Sequence, residues 1–302
     1  MPPVIKTENK YGLDWVLLNN RWYCVQNYSP TKLSDDTDIP IVTDGTIWIG
    51  LTTPARCVYN NSSDSEFIEK YGYLYNRYAV DEGLKMPCAD CAVPSRAEWE
   101  SLRDWLIASG FNWDGTTSGI KIGKSMASSG GEWDSSATAG HVGNNQQSNN
   151  SSGLTRLPAG WRNGNTGNFS LIGSHGFWWT NDGDRLRLRS ASEQLDFFTD
   201  DLPQFGWSIC ISAIAPVVTY NSNGGSVVDD EVTFIGELAT QPTAPTKAGY
   251  KFAGWYKEDT FVNEWDFDTD TVTADTTLYA KWDLPAEKTQ LSLNFHTGLK
   301  IS

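Results

Sequence analysis

The stretch from Leu157 to Ser212 limits the fold more than any other, because it sets large aromatics among glycines and short alternating runs. Trp161, Phe169, Phe177, Trp178, Trp179, Phe197, Phe198, Phe205 and Trp207 all fall within it. Arg185-Leu-Arg-Leu-Arg189 alternates with period two, which points Leu186 and Leu188 inward and the three arginines outward. Trp207-Ser-Ile-Cys-Ile-Ser212 alternates large with small and predicts a strand with one face in a core. The acidic, turn-forming Asp200-Asp201-Leu202-Pro203 separates the two runs. The pattern is a meander of strands with long loops at its ends, and loops on a rigid scaffold are where function is sought.

At 302 residues the chain is long enough for two domains by the rough prior of 150 residues each, and for a sizeable core. A formal net charge of -14 argues against nucleic acid and anionic membrane surfaces as partners, since both need basic patches. No run approaches the roughly 18 apolar residues of a membrane span. The opening Met1-Pro-Pro-Val-Ile-Lys-Thr-Glu8 lacks the apolar centre of a secretion signal. That predicts either a leader cut from this sequence or a route that needs none, such as assembly into a virus particle. The 14 tryptophans can serve as platforms for sugar rings or as filling of an irregular β-rich core.

Cys24, Cys57, Cys88, Cys91 and Cys210 are odd in number, so at least one is free or pairs with another chain. Cys88-Ala-Asp-Cys91 has the spacing of a metal or redox motif. Zinc would want a second pair or histidines at matching spacing, and a redox role would want a βαβ context. Neither is present, which leaves a structural disulfide or buried thiols. The three histidines, His141, His175 and His296, occur without a GxSxG elbow, an HExxH helix, a P-loop or a GxGxxG turn. No catalytic residue and no cofactor is expected.

Trp15 to Val25 reads as a hairpin turning at Asn19-Asn20, since asparagine tolerates the left-handed backbone of a tight turn. Polar turns from Ser29 to Asp38 precede a short strand predicted around Ile47-Trp48-Ile49. A helix opens after Pro94 with Ser95 and Glu98 as a capping box, and Gly110 stops it. Trp99, Leu102, Trp105 and Leu106 lie along one side of it. Residues 127–152 are mostly Ser, Gly and Asn, with Trp133 and His141 their only bulky members, and a loop of that length is functional or disordered. At Ala215-Pro216 the rhythm changes, and Val217 to Trp282 reads as a separate small β-rich domain. In the extension 284–302, Leu291, Leu293 and Phe295 alternate and predict a strand that pairs with a neighbour, in a homo-oligomer or with other surface or virion proteins.

Two sets of motifs resemble known families. Val218-Thr-Tyr-Asn-Ser-Asn-Gly-Gly225, Ala248-Gly-Tyr-Lys-Phe-Ala-Gly-Trp-Tyr256 and Val272-Thr-Ala-Asp-Thr-Thr-Leu-Tyr-Ala-Lys-Trp282 resemble the Listeria–Bacteroides B-repeat of internalin-type surface proteins. That implies a β-grasp-like, non-catalytic module. Asn20-Arg-Trp-Tyr-Cys-Val-Gln-Asn27, Cys57-Val-Tyr-Asn-Asn61, Lys70-Tyr-Gly-Tyr-Leu-Tyr75, Val93-Pro-Ser-Arg-Ala-Glu-Trp-Glu100, Leu157-Pro-Ala-Gly-Trp-Arg162, Gly176-Phe-Trp-Trp-Thr180 and Phe205-Gly-Trp-Ser-Ile-Cys210 resemble, in that order, the Fibrobacter succinogenes major paralogous domain. That resemblance implies an α+β, C-type-lectin-like domain over 1–215, followed by the β-grasp-like domain at 216–283 and the extension at 284–302. The usual family segment CPxGWHLP is altered to Cys88-Ala-Asp-Cys-Ala-Val-Pro94, which leaves the partner of Cys210 open between Cys88 and Cys91.

The resemblance implies surface recognition of a glycan or a cell-surface receptor, on a bacterial cell or a phage virion, with a purely structural spacer as the alternative. Calcium-dependent sugar sites of C-type lectins use Glu-Pro-Asn and Trp-Asn-Asp. This chain has Trp179-Thr-Asn-Asp182 and no Glu-Pro-Asn, so a plain hairpin turn at Asn181-Asp182-Gly183 outweighs a Ca²⁺ site. Arg185, Arg187 and Arg189 either grip a carboxylate or sulfate or form a solvated face neutralised by Glu193, Asp196, Asp200 and Asp201. The candidate ligand contacts are Trp133, Trp178, Trp179, Asn181, Asp182 and those three arginines. Neighbours on a strand face opposite ways, so one of Trp178 and Trp179 is expected to be exposed.

Overall fold

The computed structural model describes residues 5–199 and 202–285. In the first sheet β1 (Lys6–Lys10), β2 (Leu13–Leu18) and β3 (Arg21–Cys24) form an antiparallel meander. The two-residue turn between β2 and β3 has Asn19 at φ 49° and Asn20 at φ 58°, the left-handed pair that a tight hairpin needs.

The strand expected around Ile47–Ile49 is instead a short helix, α1 (Gly45–Ile49). Asp44 decides it, because its carboxylate accepts the Ile47 N–H at 2.9 Å and caps the turn. Trp48 is buried there with its indole N–H on Gln204 O, while Ile47 and Ile49 stay exposed. Next come β4 (Arg56–Cys57), α2 (Ser65–Tyr71), β5 (Leu74–Tyr75) and α3 (Arg77–Asp81).

Helix α4 (Arg96–Ala108) opens at Ser95 with the full capping box and ends before Gly110, which adopts φ 80°. Its Trp99, Leu102 and Leu106 are wholly buried. Helix α5 (Gly123–Met126) leads into the loop 127–152.

The second sheet holds β6 (Ala159–Arg162), β7 (Phe169–Ile172), β8 (His175–Trp179), β9 (Asp184–Arg189) and β10 (Asp196–Thr199) in the order β10-β9-β8-β6-β7. Leu186 and Leu188 of β9 enter the main core with Trp99, Trp133 and Trp178. Asp200 and Asp201 lie outside the described residues.

The run 207–212 departs from its alternation. Every residue from Phe205 to Ala213 is buried, since the segment bridges Tyr75, Arg162 and Trp178 in turn before β11 (Ser212–Ile214) pairs with β3. Structure presses on it from both faces, so no side of it is left for solvent. Cys88 and Cys91 are disulfide-bonded to each other, with Cα atoms 5.1 Å apart. Neither is therefore the partner of Cys210, which is a buried free thiol, as are Cys24 and Cys57. Burial pushes the Cys24 and Cys57 thiols up to about 12, the direction of inert core thiols.

The chain separates into two compact units between Ala213 and Ile214. In the second, β12 (Val217–Asn221), β13 (Glu231–Val232), β14 (Lys251–Tyr256) and β15 (Thr276–Asp283) form a sheet of order β13-β12-β15-β14, with β12 and β15 parallel. Trp255 is 2% exposed and meets Tyr220 edge-on at 5.0 Å. Gly254 holds φ 117° at the register shift of β14, where a Cβ would stand 2.5 Å from Glu264 Oε1. The alternation of Leu291, Leu293 and Phe295 lies outside the described residues. The protein is thus α+β, with sheets dominating and few helices.

Candidate functional site

The tryptophans singled out in the sequence do not form a stacking platform. Trp178 and Trp179 do face opposite ways, but both faces of β8 are covered. Trp178 is 0% exposed in the main core, its indole donating to Asn27 Oδ1 at 2.8 Å. Trp179 is 1% exposed on the other face, donating to Tyr75 O at 2.8 Å and lying 3.9 Å from the Trp207 ring. The buried run 205–211 is what covers that second face. Trp133 is 3% exposed and donates to Ser128 Oγ at 3.1 Å, so it anchors its loop from within.

Asn181-Asp182-Gly183 is the hairpin turn between β8 and β9, with Gly183 at φ 97° and Thr180 N–H on Asp184 O at 2.9 Å. Its polar groups serve the scaffold. Asp182 accepts the Arg96 N–H at 3.1 Å, placing a carboxylate at the start of α4 where the helix favours negative charge. Arg77 donates to Thr180 O at 2.9 Å and to Asn181 O at 2.8 Å. Among the described residues no group of three His, Cys, Asp or Glu side chains is placed to hold a metal ion.

Arg185, Arg187 and Arg189 do share one face of β9, each half-buried. Asp196 accepts from Arg187 at 3.0 Å and from Arg189 at 3.1 Å. Arg185 lies over the rings of Phe177, Phe198 and Trp207. Glu193, a counter-charge suggested by sequence proximity, instead accepts the Trp113 indole N–H at 2.6 Å. His175 sits opposite Arg189 on the neighbouring strand. Burial, then the charges of Arg187 and Arg189, hold its imidazole down to about 4.

The polar loop 127–152 carries a surface groove. It is ordered by polar contacts where apolar side chains are scarce. Gln146 clamps Trp133, its Oε1 accepting the Trp133 N–H at 2.9 Å and its Nε2 donating to Trp133 O at 2.5 Å. The Asn149 amide donates to Ser128 O at 3.1 Å and to Val142 O at 3.0 Å. Lys124, buried under the loop, donates to the carbonyls of Asn144 and Asn145. Desolvation pulls its pKa below the usual lysine value. Asn145 itself takes φ 43° to turn the chain.

Above this network lies a groove of about 370 Å³ lined by Ser129, Gly130, Gly131, Ser135, Gly143, Asn145, Gln146 and Gln147. The side chains of Ser129, Ser135, Asn145 and Gln147 stand exposed and make no hydrogen bond among the described residues. Sequence composition marked the loop. It did not mark these four residues, because which polar groups are spared depends on bonds to Lys124 and Trp133 that no local pattern reveals.

These features define a β-rich α+β scaffold presenting a polar, uncharged groove. Residues 16–204 match the Fibrobacter succinogenes major domain, and the chain belongs to that family. Residues 217–281 match the Listeria-Bacteroides repeat domain. Neither is an enzyme family. A Gly-rich membrane protein of Evansella cellulosilytica is 37% identical over 116 residues, which make up 37% of this chain and 13% of that protein. A second membrane protein of the same organism is 32% identical over 112 residues, 37% of this chain and 16% of that protein. Internalin H of Listeria monocytogenes is 53% identical over 49 residues, 16% of this chain and 9% of its own length. The chain thus spans only a small fraction of these relatives' lengths.

Proposed function

We propose that this protein is a non-catalytic recognition protein on a bacterial cell surface, binding a glycan through the groove of the 127–152 loop. The observation that carries this is the groove itself, with four spared polar side chains on walls already fixed by Lys124, Gln146 and Asn149. Hydroxyls and amides offer both donors and acceptors, which suits sugar hydroxyls. An apolar ligand would leave them unpaired at a cost of about 1–3 kcal/mol each. Because the walls are pinned beforehand, little ordering entropy opposes binding.

The scaffold reads as C-type-lectin-like, supported by the pairing of β3 with β11 at the two ends of the domain. The repeat reads as a β-grasp-like spacer. The two membrane proteins and the internalin among the relatives favour a cell surface over a virion as the setting.

A glycan array probed with the full chain tests the reading. Binding to a defined set of glycans is expected, and Ser135→Ala with Gln147→Ala should abolish it without moving the melting temperature. An array without binding, or a double variant that binds like the wild type, would overturn the proposal.

A further inference from the structure

We infer that the arginine face of β9 sets the charge preference of this site, so that the ligand is a glycan bearing an oxyanion, carboxylate or sulfate, beside the ring held in the groove. The inference rests on the reading that the groove takes a sugar. Backbone bonds tie the groove to the end of the arginine-bearing strand. Gly143 of the groove donates its N–H to Ser190 O at 2.8 Å, and Ser190 directly follows Arg189. Asp134, next to Ser135 of the groove, donates its N–H to Gly173 O at 2.8 Å, two residues before His175.

The charges on that face are unequal. Arg187 and Arg189 share the single carboxylate of Asp196. Arg187 lies over Phe198, its guanidinium carbon 4.0 Å from the ring centroid, a contact that suits a planar guanidinium. Arg189, with 35% of its side chain exposed, gives Asp196 one N–H, while its buried Nε finds no partner among the described residues. The imidazole of His175 on the same side is held down chiefly by burial and then by these two arginines, with Asp134 and Asp196 opposing them. The arginine face stands out in a chain of net charge -14, whose overall field repels anions. A guanidinium fork that is planar and incompletely paired suits an oxyanion, and a partly buried site loses less of that attraction to salt. Asp196 is then an internal stand-in for the ligand's anion, and it competes with it.

Matched polymer pairs test this with the full chain: polygalacturonate against its methyl ester, and dextran sulfate against dextran. The acidic member of at least one pair should bind about tenfold more tightly than its neutral partner at low salt, and that pair tells carboxylate from sulfate. Arg187→Gln with Arg189→Gln should erase the difference. Should that variant fail to fold, Asp196→Asn gives the opposite sign. Removing the competitor should tighten acidic binding about threefold or more and leave neutral binding unchanged, which a merely structural ion pair would not do. Equal binding within both pairs, absence of binding to both acidic polymers, or weaker acidic binding by Asp196→Asn would overturn the inference. Retained groove-dependent binding to neutral glycans on the array would then show that the recognition reading survives without it.

Discussion

Strand β8 and the loop 127–152 use their composition in opposite ways. Strand β8 carries three consecutive aromatics, Phe177, Trp178 and Trp179, and hides all of them. The loop is nearly all small and polar, and it holds a fixed shape through backbone carbonyls bound by Lys124, Gln146 and Asn149. In a chain with 14 tryptophans, aromatic density marks the core. The groups left for a ligand are found by asking which polar side chains remain unused once the internal bonds are counted.

The sharpest way to break this contrast is Trp178→Ala. If the ring is core, unfolding in urea should show a loss of about 3–5 kcal/mol, and a loss under about 1 kcal/mol would return Trp178 to the list of contact residues. Lys124→Met comes next. It leaves the carbonyls of Asn144 and Asn145 without their donor, and should cost about 1–3 kcal/mol while hydrogen exchange of residues 141–149 speeds up. Unchanged exchange there would mean that the loop is held by something else.

A smaller effect follows from His175, half-buried and held down to about 4. The unfolded chain takes up this proton near pH 6.5, while the folded chain resists until about 4. Between those values the unfolded state binds more protons, so this group's contribution to stability falls as pH drops through that window. His175→Gln should flatten that part of the stability profile, and an unaltered slope would show that carboxylates alone produce it. Smallest is the effect of Ser135→Ala with Gln147→Ala, within about 0.5 kcal/mol of wild-type stability despite the loss of binding.

What could be read from sequence was local. The Asn19-Asn20 turn, the Ser95 and Glu98 capping box and the inward Leu186 and Leu188 each depend on neighbours within a few residues, and each forms as expected. The run 207–212 misled because its second face is covered by residues distant in sequence, Tyr75 and Trp178 among them. Ile47–Ile49 misled because three residues cannot establish a period, and the Asp44 cap settled the matter. The candidate site was half legible. The loop showed in its Ser, Gly and Asn content, and the arginine face in its alternation. The groove did not, since it depends on a lysine about twenty residues away reaching the carbonyls of Asn144 and Asn145.

The central claim is that contact is made by the spared polar groups of the loop. Hydrogen exchange of the full chain, with and without a glycan selected on the array, tests it most directly. The account predicts added protection of amides within 129–147, with residues 217–281 unchanged. Protection confined to 217–281, with 129–147 exchanging as in the free protein, would contradict it and move recognition to the repeat.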